Sequence, residues 1–165
     1  MRHLILILVV LAAAPAFAGG TLEGRLVTMN VLTFDDPATP LFESEGATVK
    51  IGQGVEFGMG PEGHSLGFDV VPVQVEITPT RIELSYPEGA GNFWPSAFNG
   101  YVLRFKGDCV VFTQARVDHA ETTMPITPGA VYRSGNALYI NVSGLDYGPD
   151  ARLALDLAVT DCPVS

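Results

Sequence analysis

The stretch "VPVQVEITPTRIELSY", residues 71–86, decides the fold class. Apolar and polar side chains alternate along it, and Thr78-Pro79-Thr80 separates two such runs. Because successive side chains of a strand point to opposite faces, this alternation predicts two half-buried β-strands joined by a turn. The apolar side chains of the two runs are Val71, Val73, Val75, Ile77, Ile82, Leu84 and Tyr86.

The same alternation extends through most of the chain, and no segment has the apolar spacing of a helix. Residues 130–145, "AVYRSGNALYINVSGL", have the pattern of a hairpin with a short loop at 134–136. In "ARLALDLAVT", residues 151–160, the side chains expected to point inward are Leu153, Leu155, Leu157 and Val159. The sequence therefore predicts an all-β fold: a single two-sheet antiparallel sandwich, jelly-roll or immunoglobulin-like, with about 8 to 10 strands.

The N-terminal stretch "MRHLILILVVLAAAPAFAGG", residues 1–20, has the composition of a secretory signal. A basic start precedes an apolar run, and Ala16-Phe17-Ala18 forms the small-x-small pattern at which signal peptidase cleaves. The apolar run is shorter than the ~20 residues needed to span a bilayer. We therefore expect a signal peptide at 1–18, a β-sandwich domain at 19–165, and a periplasmic or secreted protein that has no membrane partner after processing.

The chain is acidic, with nine Lys and Arg residues against eighteen Asp and Glu residues and a formal net charge of −9. Nucleic acids and anionic membrane surfaces are bound through clustered Lys and Arg side chains, which this composition does not supply. The excess of carboxylates is typical of a soluble surface, and we expect no nucleic-acid partner.

The sequence has two cysteines, Cys109 and Cys162. In an exported protein a small, even number of cysteines favours a disulfide over a metal site. The bond would span 162 − 109 = 53 positions. Closing a loop of that length contributes roughly 4 kcal/mol in the chain-entropy model.

The stretch "FNGYVLRF", residues 98–105, contains an Asn-Gly pair, which is a strong signal for a hairpin turn. Such a turn needs a preceding strand, but the residues before Phe98 belong to a loop rich in proline and glycine. We therefore expect Gly100 to form a bulge or tight strand start with positive φ, followed by a strand at 101–106.

This Phe-Asn-Gly-Tyr strand opening, together with "ALYINVSGLDYG" at residues 137–148, resembles a loose group of uncharacterised exported bacterial β-proteins. The similarity runs through about residues 30–159. Several members of that group end in a membrane-sorting tail of the exosortase type. The present chain departs from them in lacking that tail and in having the cysteine pair. The resemblance implies a β-sandwich and implies no activity.

Aromatic and amide side chains are concentrated before and at the start of this strand. They are Asn92, Phe93, Trp94, Phe98, Asn99 and Tyr101, with Tyr86 upstream. Sugars stack on Trp and Tyr rings and bond to Asn amides, so the loop is a candidate saccharide platform. The tentative ligand-binding residues are Trp94, Phe93, Asn92, Asn99 and Tyr101. An aromatic loop can also cover the open end of a sandwich and plug its core, and the sequence leaves both interpretations open.

Other chemistry-bearing residues give weaker signals. Asp35 and Asp36 offer oxygen ligands for calcium, although Asp pairs before Pro are also ordinary turn formers. The glycine-rich loop at 52–67 lacks the Gly-Lys-Ser/Thr ending of a phosphate-binding loop, and we expect no cofactor. Glu76 and Glu83 flank a turn and could face each other as glycosidase carboxylates, although solvated glutamates are the ordinary alternative.

Together these observations predict an exported, non-enzymatic β-sandwich. Its expected role is that of a ligand-binding or structural module, with a saccharide or another exported protein as its partner. The alternative is an exported glycan-active hydrolase, which would require two carboxyl groups about 5 to 10 Å apart in a cleft.

Overall fold

The computed structural model describes residues 19–61, 63–67 and 71–164, and the predicted signal peptide lies outside them. The described residues form thirteen β-strands and no helix. The strands are β1 (Leu26–Phe34), β2 (Phe42–Glu43), β3 (Ala47–Lys50), β4 (Val55–Phe57), β5 (Gln74–Ile77), β6 (Arg81–Ser85), β7 (Gly91–Asn92), β8 (Phe98–Phe105), β9 (Phe112–Val117), β10 (Val131–Ser134), β11 (Ala137–Asn141), β12 (Asp146–Tyr147) and β13 (Arg152–Val159).

The strands form two antiparallel sheets that pack as a β-sandwich. The first sheet has the order β10-β11-β8-β1-β2, and β3 also pairs with β1. The second has the order β4-β5-β6-β13-β9. A small third ladder joins β7 to β12. The predicted all-β, two-sheet architecture is confirmed.

The strand count differs from the expected 8 to 10. Three of the thirteen strands, β2, β7 and β12, have only two residues each. A two-residue ladder is too short to show alternation in a sequence, because it forms where two loops meet and its pairing is decided by the tertiary fold.

The inner faces of the two sheets share one hydrophobic core. The first sheet contributes Val27, Met29, Leu103, Phe105, Leu138 and Ile140, and the second contributes Val75, Ile77, Ile82, Leu84, Leu153 and Leu155. The opening stretch therefore forms β5 and β6 as predicted, and β13 points the expected leucines inward. The predicted hairpin is β10 and β11, in which Ser134 pairs with Ala137.

The bulge expected at Gly100 is wrong. It lies in the regular ladder of β8, opposite Leu32 on one side and Asn141 on the other, and its φ is not positive. The strand begins at Phe98, earlier than expected. The reason for a glycine is crowding: a Cβ atom at this position would overlap the backbone carbonyl of Ile140.

The end of the chain is fastened to the sandwich by a disulfide and a buried arginine. Cys109 and Cys162 are linked, with their Cα atoms 6.1 Å apart, which confirms the predicted pairing. The buried guanidinium of Arg25 donates to the carbonyls of Thr21 and Cys162, each over 2.7 Å. None of the described residues lies in a helix long and apolar enough to cross a membrane.

Candidate functional site

A cavity of about 390 Å³ opens at one end of the sandwich. One wall continues the inner face of the first sheet beyond the packed core. Val31 and Thr33 come from the end of β1, and Asn99 and Tyr101 come from the start of β8. Alternation places these side chains on the same side as the core residues of their strands.

The facing wall comes from residues that follow β4 and precede β5 in the second sheet. These residues are Gly58, Met59, Leu66, Val71 and Val73. Leu66 and Val73 are buried, whereas Met59 reaches the surface. The cavity is therefore the part of the sandwich interior that the two sheets leave unfilled.

Three exposed apolar side chains lie around this cavity. Trp94 is 75% exposed, Leu41 64% and Met59 50%. Among the described residues six large apolar side chains are exposed, and three of them line this cavity. Their concentration at one opening distinguishes the site from scattered surface apolar residues.

The backbone around Trp94 is held by side chains from neighbouring elements. The amide of Asn99 donates to the Trp94 carbonyl over 2.8 Å. The Ser143 hydroxyl accepts from the Ser96 N–H and donates to the Ser96 carbonyl, each over 2.8 Å. Trp94 is thus an exposed side chain on a backbone with fixed partners.

The two asparagines of the predicted site support the loop. Asn99 also accepts from the Thr33 hydroxyl over 3.1 Å. The Asn92 amide donates to the Asp146 carboxylate over 2.9 Å. The role expected for these amides, donation to sugar hydroxyls, would require that these internal bonds be broken.

The other two predicted site residues, Phe93 and Tyr101, are buried beneath Trp94. Phe93 is 5% exposed and Tyr101 2%. The Phe93 ring packs edge-on against Tyr101 at 6.3 Å and against Tyr86 at 5.9 Å. The Tyr86 and Tyr101 hydroxyls are near enough to influence each other's pKa, but among the described residues neither makes a hydrogen bond of ordinary geometry. Burial raises the pKa of both phenols.

The structure therefore brings all five predicted site residues to one cavity, where they lie at different depths. Phe93 and Tyr101 belong to the hydrophobic core, as a plug would. Trp94 projects into solvent, as a platform would. The core plug and the ligand platform, which the sequence left as alternatives, therefore correspond to different residues of the same site.

Several cavity residues were not expected from the sequence. Leu41 and Met59 lie in loops without alternation, so no local pattern distinguishes them from other loop residues. Tyr147 is in a two-residue strand, and its ring lies 5.1 Å from Phe93. The one available signal was the presence of large apolar residues in otherwise polar loops.

The weak calcium candidates have backbone partners. Asp35 accepts from the Ala97 N–H over 2.9 Å, which ties the end of β1 to the Trp94 loop. Asp36 accepts from the Ala38 N–H over 2.9 Å, the bond expected of an Asx turn. Across the described ranges, no group of three or more His, Cys, Asp or Glu side chains is arranged to hold a metal ion.

The two glutamates of the hydrolase alternative lie away from this cavity. Glu76 and Glu83 are directly paired across β5 and β6, and both line a pocket of about 190 Å³. Arg81 donates to Glu83 over 2.6 Å and also bonds Asp118 and Asp156. The Arg81 guanidinium lowers the pKa of Asp118 below its usual value.

Comparison of the chain with known proteins gave no match to a protein-family model, to a curated protein or to a solved structure.

Proposed function

We propose that the protein is an exported, non-enzymatic module that binds a small ligand in the cavity beneath Trp94. The observation that carries this proposal is the exposed Trp94 side chain beside an apolar cavity, on a backbone held by hydrogen bonds. A ligand that covers the indole removes apolar surface from water, which is favourable. A loop that is already held in place loses little conformational entropy when the ligand binds.

The dimensions and composition of the cavity support the same proposal. Its volume of about 390 Å³ lies within the range of ordinary small-molecule pockets. Such pockets are lined mainly by hydrophobic and aromatic side chains with a few polar groups. This cavity combines Phe93, Trp94, Tyr101 and Tyr147 with aliphatic side chains from the second sheet.

A saccharide is the second candidate ligand, favoured by the exposed Trp94 ring on which a sugar can stack. The hydrolase alternative depends on Glu76 and Glu83. Their cross-strand pairing favours it, but Arg81 bonds to Glu83 and the pocket between them has about half the volume of the Trp94 cavity. Binding at Trp94 requires no rearrangement of that network.

The proposal is tested by screening the purified mature protein against a small-molecule fragment library and a glycan array. We expect Trp94→Ala to abolish the binding of hits by the wild type. The matched control is Tyr132→Ala, since Tyr132 is also exposed but stacks on Tyr139 outside the cavity. This control should leave the same hits bound.

Hits that bind equally well to wild type and Trp94→Ala would contradict the proposal. Glycan hydrolysis that is lost in Glu76→Gln and Glu83→Gln, but retained in Trp94→Ala, would favour the hydrolase alternative instead.

A further inference from the structure

We infer that the cavity beneath Trp94 selects an uncharged, mainly apolar ligand that contains an aromatic or alicyclic ring system, and that it rejects anions and free saccharides. This inference rests on the proposed function, because it specifies the ligand class of the same site. It follows from three properties of the cavity: its hydrogen-bonding inventory, its charge and its shape.

The amide and threonine side chains of the wall are already bonded to one another or to other protein groups. Asn99 and Thr33 share a hydrogen bond, and the Asn92 and Asn99 amides donate to protein acceptors. Three side-chain donors of the described lining residues have no hydrogen bond there: the Trp94 indole N–H and the hydroxyls of Tyr101 and Tyr147. The Tyr101 hydroxyl is also buried. Even together, these three groups serve only a few polar atoms of a ligand.

A saccharide has many more hydroxyl groups than these donors can serve. Each hydroxyl that leaves water without gaining a new hydrogen bond makes binding less favourable. Burial of a sugar in this cavity would therefore be unfavourable, even though its ring could stack on Trp94. An apolar ring has no such requirement, and its burial is favourable in proportion to the area removed from water.

The charge around the cavity disfavours an anion. The described lining residues include no Lys, Arg or His to pair with one. Two carboxylates are bonded to residues at or beside the lining, Asp146 to Asn92 and Asp35 to Ala97. The whole sequence also has a formal net charge of −9. A buried anion would lose hydration without gaining a partner, and it would be repelled.

The shape of the cavity favours a flat ring system. Val31 of β1 lies in one wall, and Val73, just before β5, lies in the facing wall. The Trp94 indole lines the cavity and is mostly exposed, so it can stack on a bound ring. Aromatic rings packed in offset or edge-on geometry attract each other beyond the effect of buried area alone.

The test uses a matched pair of probes with the same apolar body. N-phenyl-1-naphthylamine is neutral, whereas 8-anilino-1-naphthalenesulfonate carries a sulfonate. Trp94 is the single tryptophan of the chain, so its fluorescence reports on this cavity. We expect the neutral probe to quench Trp94 and to bind about tenfold more tightly than the sulfonate. A panel of neutral oligosaccharides should leave Trp94 fluorescence unchanged.

Two valine variants test whether the neutral probe binds inside the cavity. Val31→Phe fills the cavity and should weaken the neutral probe by about tenfold. Val110→Phe adds the same volume at an exposed position outside the cavity and should have no effect. Circular dichroism checks that both variants are folded. If Val31→Phe does not fold, Trp94→Phe offers a second, milder change, and its binding is followed by the emission of the bound N-phenyl-1-naphthylamine because the variant has no tryptophan.

The outcomes separate this inference from the proposed function. Oligosaccharide or sulfonate binding at Trp94 that equals or exceeds binding of the neutral probe would overturn the ligand class and leave the binding function standing. Absence of Trp94-dependent binding for every probe and for the fragment and glycan screens would overturn both.

Discussion

Phe93 and Trp94 are neighbours in sequence, but their side chains have opposite environments. Phe93 is 5% exposed and packs in the core, whereas Trp94 is 75% exposed. We expect Phe93→Ala to lower the free energy of unfolding by about 3–5 kcal/mol, because it removes a buried ring and leaves a cavity. Trp94→Ala should change it by less than about 0.5 kcal/mol. Urea denaturation of the two variants measures both values.

Equal destabilisation by the two substitutions would show that Trp94 also belongs to the core. The proposal that the indole is available to a ligand would then lose its main support.

Gly100 has an extended conformation in a crowded position, and its replacement tests that geometry. An added Cβ would overlap the carbonyl of Ile140, so β8 and β11 must move apart. We expect Gly100→Ala to cost about 1–3 kcal/mol, as overpacking does elsewhere. The control is Gly52→Ala, because Gly52 is exposed and has no atom near its Cβ position. Thermal unfolding of both variants should separate them, and a neutral Gly100→Ala would contradict the close approach of the strands.

At the residue scale, residue type was enough to pick out five residues that line one cavity, but not to show how deeply each is buried or what it bonds. Residue type identifies Trp94 as a candidate for ligand stacking and Asn99 as a donor. Whether the Asn99 amide faces a ligand or the Trp94 carbonyl depends on the path of the loop, which local sequence does not determine. Gly100 was expected to need positive φ, whereas the requirement is space beside Ile140, a residue 40 positions away.

Arg81 connects three parts of the second sheet. It bonds to Glu83 in β6, to Asp156 in β13 and to Asp118 just after β9. We expect Arg81→Ala to lower the melting temperature by a few degrees at low ionic strength, because three carboxylates lose their shared cation. The decrease should be smaller at ~1 M NaCl, where surface charges are screened. Arg133→Ala, at an exposed position of β10 in the first sheet, is the control.

This network also has a defined pH dependence. The pKa of Asp118 is lowered in the folded protein, mainly by Arg81. A lowered carboxyl pKa contributes stability above the unfolded pKa, and that contribution is lost as pH falls through the folded value. The difference in melting temperature between wild type and Arg81→Ala should therefore shrink on acidification below the ordinary Asp pKa. A constant difference down to strongly acidic pH would contradict this role.

At the element scale, the long strands were predictable from the sequence, but the order in which they pair in the sheets was not. The alternation in β5, β6 and β13 arises because one face of each strand is buried. A short stretch of sequence is therefore enough to detect it. Strand order depends on pairing between distant segments: β1 pairs with β8, and Val27 lies opposite Phe105. An inward-facing strand has the same alternation beside any partner, so the sequence alone could not give this order.

The whole molecule has two differently built ends. The start of β8 lines the cavity, whereas the segment after its other end contains Cys109. At the cavity end, side-chain hydrogen bonds hold an exposed loop. At the other end, a disulfide and the buried Arg25 side chain fasten the chain. This arrangement separates covalent stabilisation from the site where we propose that a ligand binds.

The separation predicts that the disulfide contributes to stability and not to binding. Cys109→Ala combined with Cys162→Ala should lower the free energy of unfolding by about 2–4 kcal/mol, because the unfolded chain regains the freedom of a long closed loop. Affinity for N-phenyl-1-naphthylamine should remain within about twofold of wild type at temperatures where the variant is folded. Urea denaturation and Trp94 fluorescence titration on the same samples measure both quantities.

The control is the wild type after mild reduction, which should reproduce the double variant. A large loss of affinity in the folded double variant would show that the two ends are coupled, since the β1–β8 ladder is the direct structural connection between them.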